Sequence, residues 1–145
     1  MSKGKALLIL HGKQALNEEV RSAVMLKRKP GWDLAVRLTW EAGDAQRCVD
    51  EALDAGYTRL IAGGGDGTLR DIAEAIALKP SDASLVLLPL GTANDFARAA
   101  GVPLEPAQAL DLLDVAPQAV DVGEVCGRIF LNLSLIHISE PTRPY

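Results

Sequence analysis

Residues 58–68 read TRLIAGGGDGT, and this stretch decides the fold of the chain. The apolar run predicts a buried strand over 58–62, and the spacing of apolar residues predicts a helix over 69–78, before Pro80. Glycines between a strand and a helix let the backbone approach a ligand closely, with successive N–H groups pointing into one concavity. Since the positive end of the helix follows, a phosphate group is the ligand that this turn favours.

The same alternation of strand and helix continues on both sides of the glycine run. Further strands are predicted over 5–10, 33–40 and 84–88, and further helices over 16–27, 45–53 and from 92 to 100. This order predicts an α/β fold, an open and mainly parallel sheet flanked by helices on both faces. A short helix ending near 113 follows, and apolar runs over 120–125 and 128–133 predict a β-hairpin at the C-terminal end.

The composition predicts one globular domain. The 145 residues include 15 basic and 19 acidic side chains, a net charge of −4, which argues against bulk electrostatic binding of nucleic acid. The apolar runs are far shorter than the ~20 residues of a membrane span, and no signal-peptide cleavage site follows the first strand, so we expect a cytoplasmic location and no transmembrane segment. Cys48 and Cys126 lack metal-site spacing and are expected to be buried.

The glycine run differs from two common phosphate-binding motifs. Thr68 stands where GxGxxG has its last glycine, and no lysine follows as in GxxxxGK[ST]. Asp66 would repel phosphate oxygens unless a metal ion, a ribose hydroxyl or a backbone donor separated the charges. The run therefore indicates a nucleotide bound with magnesium. The alternative is a tight turn in which Asp66 caps the helix.

Polar residues also follow the predicted strands on either side. The carboxyl ends of parallel strands meet at one edge of the sheet, where α/β proteins bind ligands. Thr39, Thr68 and Thr92 would offer hydroxyl groups at this edge, while Asn94 and Asp95 could hold the loops together. Other single residues are weaker candidates for ligand contacts, and we expect His11, Trp32 and Trp40 to be structural.

Two motifs together point to a family. GGDG, at 64–67, is shared with NAD kinases and more loosely with phosphofructokinases, whereas PLGTANDFAR, at 89–98, is specific to lipid kinases. Over about residues 5–132 the chain resembles the diacylglycerol kinase catalytic domain superfamily and, within it, the bacterial YegS-type lipid kinases. The resemblance implies a phosphofructokinase- and NAD kinase-like nucleotide-binding domain. It also implies transfer of the γ-phosphoryl group of ATP, with Mg²⁺, to a diacylglycerol-like or phosphatidylglycerol-like hydroxyl at the inner membrane face.

The resemblance also implies roles for individual residues. By position, the ATP-contacting residues would be Thr39, Gly64, Gly65, Asp66, Gly67, Thr68, Leu69, Arg70, Asp71 and Thr92, with Asn94 and Asp95 ordering the site. The family has asparagine and glutamate where this chain has Arg70 and Asp71, so the role of that turn stays open. The family's catalytic base lies in a second, β-rich domain, so no catalytic residue is expected here.

Residues 133–145 depart from the family pattern. The stretch SEPTRPY, at 139–145, contains two prolines, and residues 135–145 are predicted to form neither helix nor strand. We therefore expect 133–145 to be a non-native or disordered tail and the chain alone to bind nucleotide with negligible turnover. An exposed edge of the hairpin would favour a homo-oligomer. The alternatives are an NAD kinase-like small-molecule kinase and a non-catalytic nucleotide-binding module.

Overall fold

Short apolar runs form a six-stranded sheet at the centre of the molecule. The computed structural model describes residues 3–79, 83–94, 98, 101–115, 118–120 and 135–138. The strands are β1 (Gly4–His11), β2 (Trp32–Thr39), β3 (Arg59–Gly64), β4 (Ser84–Pro89), β5 (Gln118–Val120) and β6 (Leu135–Ile138). They lie in the order β2-β1-β3-β4-β6-β5, and the first four are mutually parallel. The predicted α/β class with an open, mainly parallel sheet is confirmed.

Helices connect the parallel strands. The helices α1 (Glu18–Arg28), α2 (Asp44–Asp54) and α3 (Asp66–Ala77) each lead from one parallel strand to the next, and α4 (Pro106–Leu110) follows β4. Helix α1 begins where the Asn17 side chain accepts hydrogen bonds from the N–H groups of Glu19 and Val20, and it ends with two basic residues that suit the helix dipole. Among the residues that the structure describes, no helix combines the length and the apolar character needed to cross a membrane.

The sheet has a separate hydrophobic core on each face. Alternate residues of β1 point to opposite faces: Leu7 and Ile9 pack with α2 and α3, whereas Leu8 and Leu10 pack with α1 and α4. Strands β3 and β4 are covered on both faces, which explains their uninterrupted apolar sequences. Cys48 lies in the first of these cores and is 2% exposed, as predicted.

Strand β6 is a correction to the sequence analysis. Residues 135–138 were predicted to belong to an irregular tail, yet they pair antiparallel with β4 and parallel with β5. The exposed hydrogen-bonding edge of β4 provides the partner, and the prolines that discouraged a strand begin only at Pro141. Cys126, both strands of the predicted hairpin beyond Val120, and most of the predicted helix from 92 to 100 lie outside the described residues.

A polar cluster around Asp114 ties elements together at the amino ends of the strands. One Asp114 carboxylate oxygen accepts hydrogen bonds from the Trp32 indole Nε1 at 3.0 Å and from Lys3 Nζ at 3.3 Å, and the other accepts one from Lys27 Nζ at 2.8 Å. These donors lower the pKa of the Asp114 carboxyl to about 2, because each favours its ionised form; the bond from Lys27 is the largest cause. The cluster thus connects α1, β2 and the segment after α4.

Replacing Asp114 with asparagine should therefore destabilise the protein in a pH-dependent way. A depressed pKa adds stability that is complete above the unfolded pKa of 3.8 and is lost as the pH falls towards 2. The side chain is 39% exposed, so after allowance for screening we expect a loss of about 1 kcal/mol at pH 7, measured by urea unfolding.

Asp111→Asn is the matched control, since Asp111 also pairs with Lys27 but is 68% exposed. It should change the free energy of unfolding by less than Asp114→Asn does. The deficit of Asp114→Asn should shrink between pH 4.5 and 3, and a deficit that stays constant over that range would contradict the assignment.

Candidate functional site

The strand order creates a crevice at the carboxyl ends of β1 and β3. From β1 the chain moves outward to β2 and then returns across β1 to β3. The helices that follow β1 and β3 pack on opposite faces of the sheet, so the two connecting loops diverge at this point. The register sets His11 of β1 beside Thr39 of β2, and Gly64 of β3 beside Pro89 of β4. Such a reversal in strand order is where α/β sheets bind ligands.

Glycines let the end of β3 pack against its neighbours. A Cβ atom at Gly63 would lie 3.0 Å from Cδ1 of both Leu8 and Leu10. A Cβ atom at Gly64 would lie 2.8 Å from Cβ of Thr68, which belongs to the first turn of α3. The first turn of α3 therefore folds back directly onto the end of the strand, and a side chain at Gly64 would force the two apart.

A second close approach joins the loops after β3 and β4. A Cβ atom at Gly91 would lie 2.6 Å from Cα of Gly65, so the two backbones touch. The Asn94 side chain fixes this loop, since its Oδ1 accepts a hydrogen bond from the N–H of Gly91 at 2.8 Å. Asn94 is 8% exposed and has a φ of 54°, a left-handed conformation that asparagine tolerates better than most residues. Its predicted ordering role is consistent with this contact, while Asp95 lies outside the described residues.

The loop between β2 and α2 is held by one carboxylate. Asp44 accepts hydrogen bonds from the backbone N–H groups of Trp40 at 2.7 Å and Glu41 at 3.0 Å, and from the Arg47 guanidinium at 2.9 Å. The two backbone bonds, and secondarily Arg47, lower the pKa of the Asp44 carboxyl below its usual value. Gly43 completes the turn with a φ of 92°. The loop is therefore fixed at its backbone.

A pocket of about 420 Å³ lies between this loop and the first turns of α3. Four of the residues predicted to contact nucleotide line it, namely Thr39, Gly67, Thr68 and Asp71. Its other lining residues are His11, Trp40, Glu41, Ala42, Gly43 and Ala45. The volume is in the range of small-molecule sites, and the position at the carboxyl ends of the strands agrees with the sequence prediction.

The remaining predicted contact residues lie elsewhere. Gly64, Gly65, Asp66, Leu69, Arg70 and Thr92 do not line this pocket. The Leu69 side chain is fully buried in the core, and its N–H donates to the carbonyl oxygen of Gly65 at 3.0 Å. Thr92 is exposed on the loop that contacts Gly65. Of the ten predicted contact residues, four therefore line the pocket and six do not.

Six lining residues were not predicted as contacts. Among them, His11 and Trp40 were expected to be structural, and Glu41 was not predicted to belong to the site. Trp40 is 83% exposed, so its predicted packing role is wrong, whereas Trp32, at 7%, packs as expected. His11 Nδ1 accepts a hydrogen bond from the N–H of Lys13 at 3.1 Å, which assigns the proton of a neutral ring to Nε2. The available signal was position, since both residues lie at strand ends beside Thr39.

The pocket carries acidic rather than basic side chains. Glu41 and Asp71 line it, and no lysine or arginine is among its described lining residues. In the described part of the chain no three histidine, cysteine or carboxylate side chains cluster as a metal site would require. The donors that suit a phosphate are instead the hydroxyl groups of Thr39 and Thr68 and the N–H groups of the first turn of α3.

Comparison with known proteins agrees with this geometry. The family model for the diacylglycerol kinase catalytic domain matches residues 5–125. The chain belongs to this family. A Pseudomonas fluorescens (strain Pf-5) protein named "Probable lipid kinase YegS-like" is 77% identical over 134 residues, which are 92% of this chain and 45% of that protein. A relative of the same name from Pseudomonas aeruginosa PAO1 is 65% identical over 134 residues, 92% of this chain and 44% of the relative.

A solved structure extends the agreement to the backbone. The crystal structure of a diacylglycerol kinase from Bacillus anthracis strain Sterne aligns with a TM-score of 0.65 at 30% identity, over 78% of this chain and 40% of the other. The resemblance stated from the two sequence motifs is therefore confirmed. The chain spans less than half the length of these relatives.

Proposed function

We propose that this chain is the nucleotide-binding part of a lipid kinase that binds ATP with magnesium in the pocket between the β2–α2 loop and α3. One observation carries the proposal. Two separate segments of the chain line one pocket at the carboxyl ends of the strands, and they contribute Thr39 on one side and Gly67, Thr68 and Asp71 on the other. Family membership supports a phosphoryl transfer in which the acceptor is the hydroxyl of a diacylglycerol-like or phosphatidylglycerol-like lipid at the inner membrane face.

The phosphate groups would lie at the start of α3. The first N–H groups of a helix have no partner within the helix and carry its positive dipole end. A Cβ atom at Gly67 would meet nothing within 4 Å, so the approach to this turn is open. The hydroxyl groups of Thr39 and Thr68 can donate to phosphate oxygens from either side of the pocket.

We propose that the two carboxylates of the pocket help to hold the magnesium ion of the nucleotide. A bare triphosphate would be repelled by Glu41 and Asp71, whereas carboxylate oxygens are the ligands that Mg²⁺ prefers. Mg²⁺ is commonly held by one or two carboxylates together with phosphate oxygens, so Glu41 and Asp71 suit an ion that is shared with the triphosphate. When bound, Mg²⁺ neutralises phosphate charge. We propose that the acceptor site and the catalytic base belong to the part of the longer relatives that this chain does not span.

Titration with ATP and Mg²⁺ tests the nucleotide site. At a ligand concentration 100 times Kd, ATP should raise the free energy of unfolding by about 2.7 kcal/mol, measured by thermal and urea unfolding. Thr39→Val and Thr68→Val should each raise the Kd for ATP about tenfold, since each removes a hydrogen bond to a charged group. Chelation of Mg²⁺ should remove most of the stabilisation.

Thr58→Val is the control, because Thr58 is an exposed threonine at the opposite end of β3, bonded to the carbonyl oxygen of Lys5. The affinity of the Thr58→Val variant for ATP should equal that of the unmodified chain. A folded chain that ATP fails to stabilise, or equal weakening by all three variants, would contradict the site. Lipid phosphorylation by this chain alone would contradict the division of roles. Phosphorylation of NAD rather than lipid by a full-length relative would favour the NAD kinase-like alternative.

A further inference from the structure

Trp40 is an exposed aromatic side chain at the pocket. Its indole is 83% exposed although it lines a concave site, whereas the other tryptophan of the chain, Trp32, is 7% exposed. A large aromatic surface in a binding site gains much from being covered by a flat ligand, since aromatic pairs stack with their rings offset. Nothing in the core accounts for a tryptophan at this position.

The backbone that carries Trp40 is held before any ligand binds. Asp44 fixes the N–H groups of Trp40 and Glu41, and an ideal Cβ at Gly12 would lie 3.5 Å from Trp40 Cδ1. The indole therefore lies beside the turn that follows β1. The backbone of this loop therefore needs little ordering when a ligand binds, which favours affinity.

Trp40 and the phosphate-binding turn lie on opposite sides of β1. Trp40 follows β2, the glycine run follows β3, and β1 separates the two strands. Two strand spacings of about 4.8 Å give a separation of roughly 10 Å, which a nucleoside triphosphate can bridge. Most of the proposed phosphate donors, the Thr68 hydroxyl and the N–H groups of the first turn of α3, lie on the α3 side of the pocket, so the base would extend towards the β2–α2 loop.

We propose that Trp40 is the platform on which the base of the nucleotide stacks. This inference rests on the proposed nucleotide function and adds a residue that determines how the base is held. Every base offers a π-face, so stacking contributes to affinity without reading hydrogen-bonding edges. Trp40 should therefore matter for ATP and be irrelevant to a phosphate chain without a base.

The two tryptophans make the test direct. Trp32 lies at the other end of β2, with its Nε1 bonded to Asp114, so it should not sense the pocket. In the Trp32→Phe variant all tryptophan fluorescence comes from Trp40, and in the Trp40→Phe variant it comes from Trp32. We expect ATP with Mg²⁺ to change the emission of Trp40 saturably, magnesium tripolyphosphate to change it little, and neither to change that of Trp32.

Calorimetric affinities give a second readout that does not depend on Trp32→Phe being folded. Trp40→Ala should raise the Kd for ATP about tenfold and leave the Kd for tripolyphosphate unchanged, while Trp40→Phe should retain most of the affinity for ATP. Equal weakening of both ligands by Trp40→Ala would overturn the inference, because Trp40 would then only shape the loop.

The failures of the two proposals are distinguishable. If ATP stabilises the unmodified chain but neither Trp40 emission nor the affinity of Trp40→Ala changes, the stacking role is overturned and the nucleotide site stands. If neither ATP nor tripolyphosphate binds the folded chain, the nucleotide site itself is overturned, and the role of Trp40 with it.

Discussion

Replacing Gly91 with alanine is expected to lower the free energy of unfolding by about 3 kcal/mol and to raise the Kd for ATP more than tenfold. The new Cβ atom would lie 2.6 Å from Cα of Gly65 and 3.1 Å from Oδ1 of Asn94. The nearest atom belongs to the backbone and cannot rotate away, so the two loops must separate. Their separation would also displace the start of α3, where we propose that phosphate binds. Urea unfolding and ATP titration measure the two effects.

Gly67→Ala is the matched control for stability. A Cβ atom there would meet nothing within 4 Å, and the residue lies in the first turn of α3. Alanine is the better helix former, so the free energy of unfolding should be unchanged or slightly raised. A Gly91→Ala protein as stable as Gly67→Ala would show that the contact with Gly65 does not constrain the loops.

Replacing Asn94 with alanine is expected to cost about 2 kcal/mol of stability and to weaken ATP as well. The substitution removes the acceptor for the N–H of Gly91 and leaves alanine at a φ of 54°, which asparagine and glycine tolerate better. Since the loop at Gly91 touches Gly65, its disorder would reach the glycine run. The same two measurements apply.

Two further substitutions separate the causes. Asn94→Asp keeps an acceptor oxygen and should retain most of the stability, whereas Asn94→Gly relieves the backbone conformation but still lacks the acceptor. We therefore expect stability to fall in the order Asn, Asp, Gly, Ala. If Asn94→Gly were as stable as the unmodified chain, the hydrogen bond to Gly91 would contribute nothing.

The fold was largely predictable because local patterns and topology agree. Apolar runs followed by apolar residues at helical spacing predicted the four parallel strands β1 to β4. Successive side chains of β1 point to opposite faces of the sheet, and both sets are buried, as expected of a strand that is covered on both faces. Strand β6 was not predictable. Its four residues become a strand by pairing with β4, a contact between distant parts of the chain that no local pattern contains.

The location of the pocket was predictable from the sequence, whereas the identity of its lining residues was less so. Thr39, Thr68 and Asp71 meet at one pocket because parallel strands end at the same edge. Leu69 was included because it belongs to a contiguous motif, yet helical periodicity turns its side chain into the core. His11 and Trp40 were each interpreted in isolation, as residues at the ends of strands. Only the strand register, which sets His11 beside Thr39, shows that both lie at the same pocket.

The close approach of Gly65 and Gly91 gives the segments around the pocket unequal evolvability. An added Cβ would lie 2.6 Å from a backbone atom at Gly91, and within 3.0 Å of a neighbouring side chain at Gly63 and Gly64, so sequence variation there is confined by sterics. The β2–α2 loop instead exposes Trp40, Glu41 and Ala42 on a backbone fixed by Asp44, so its side chains can vary without dismantling the sheet. A directed-evolution library aimed at a different nucleotide preference should therefore diversify residues 40–42 and leave 63–65 and 91 constant.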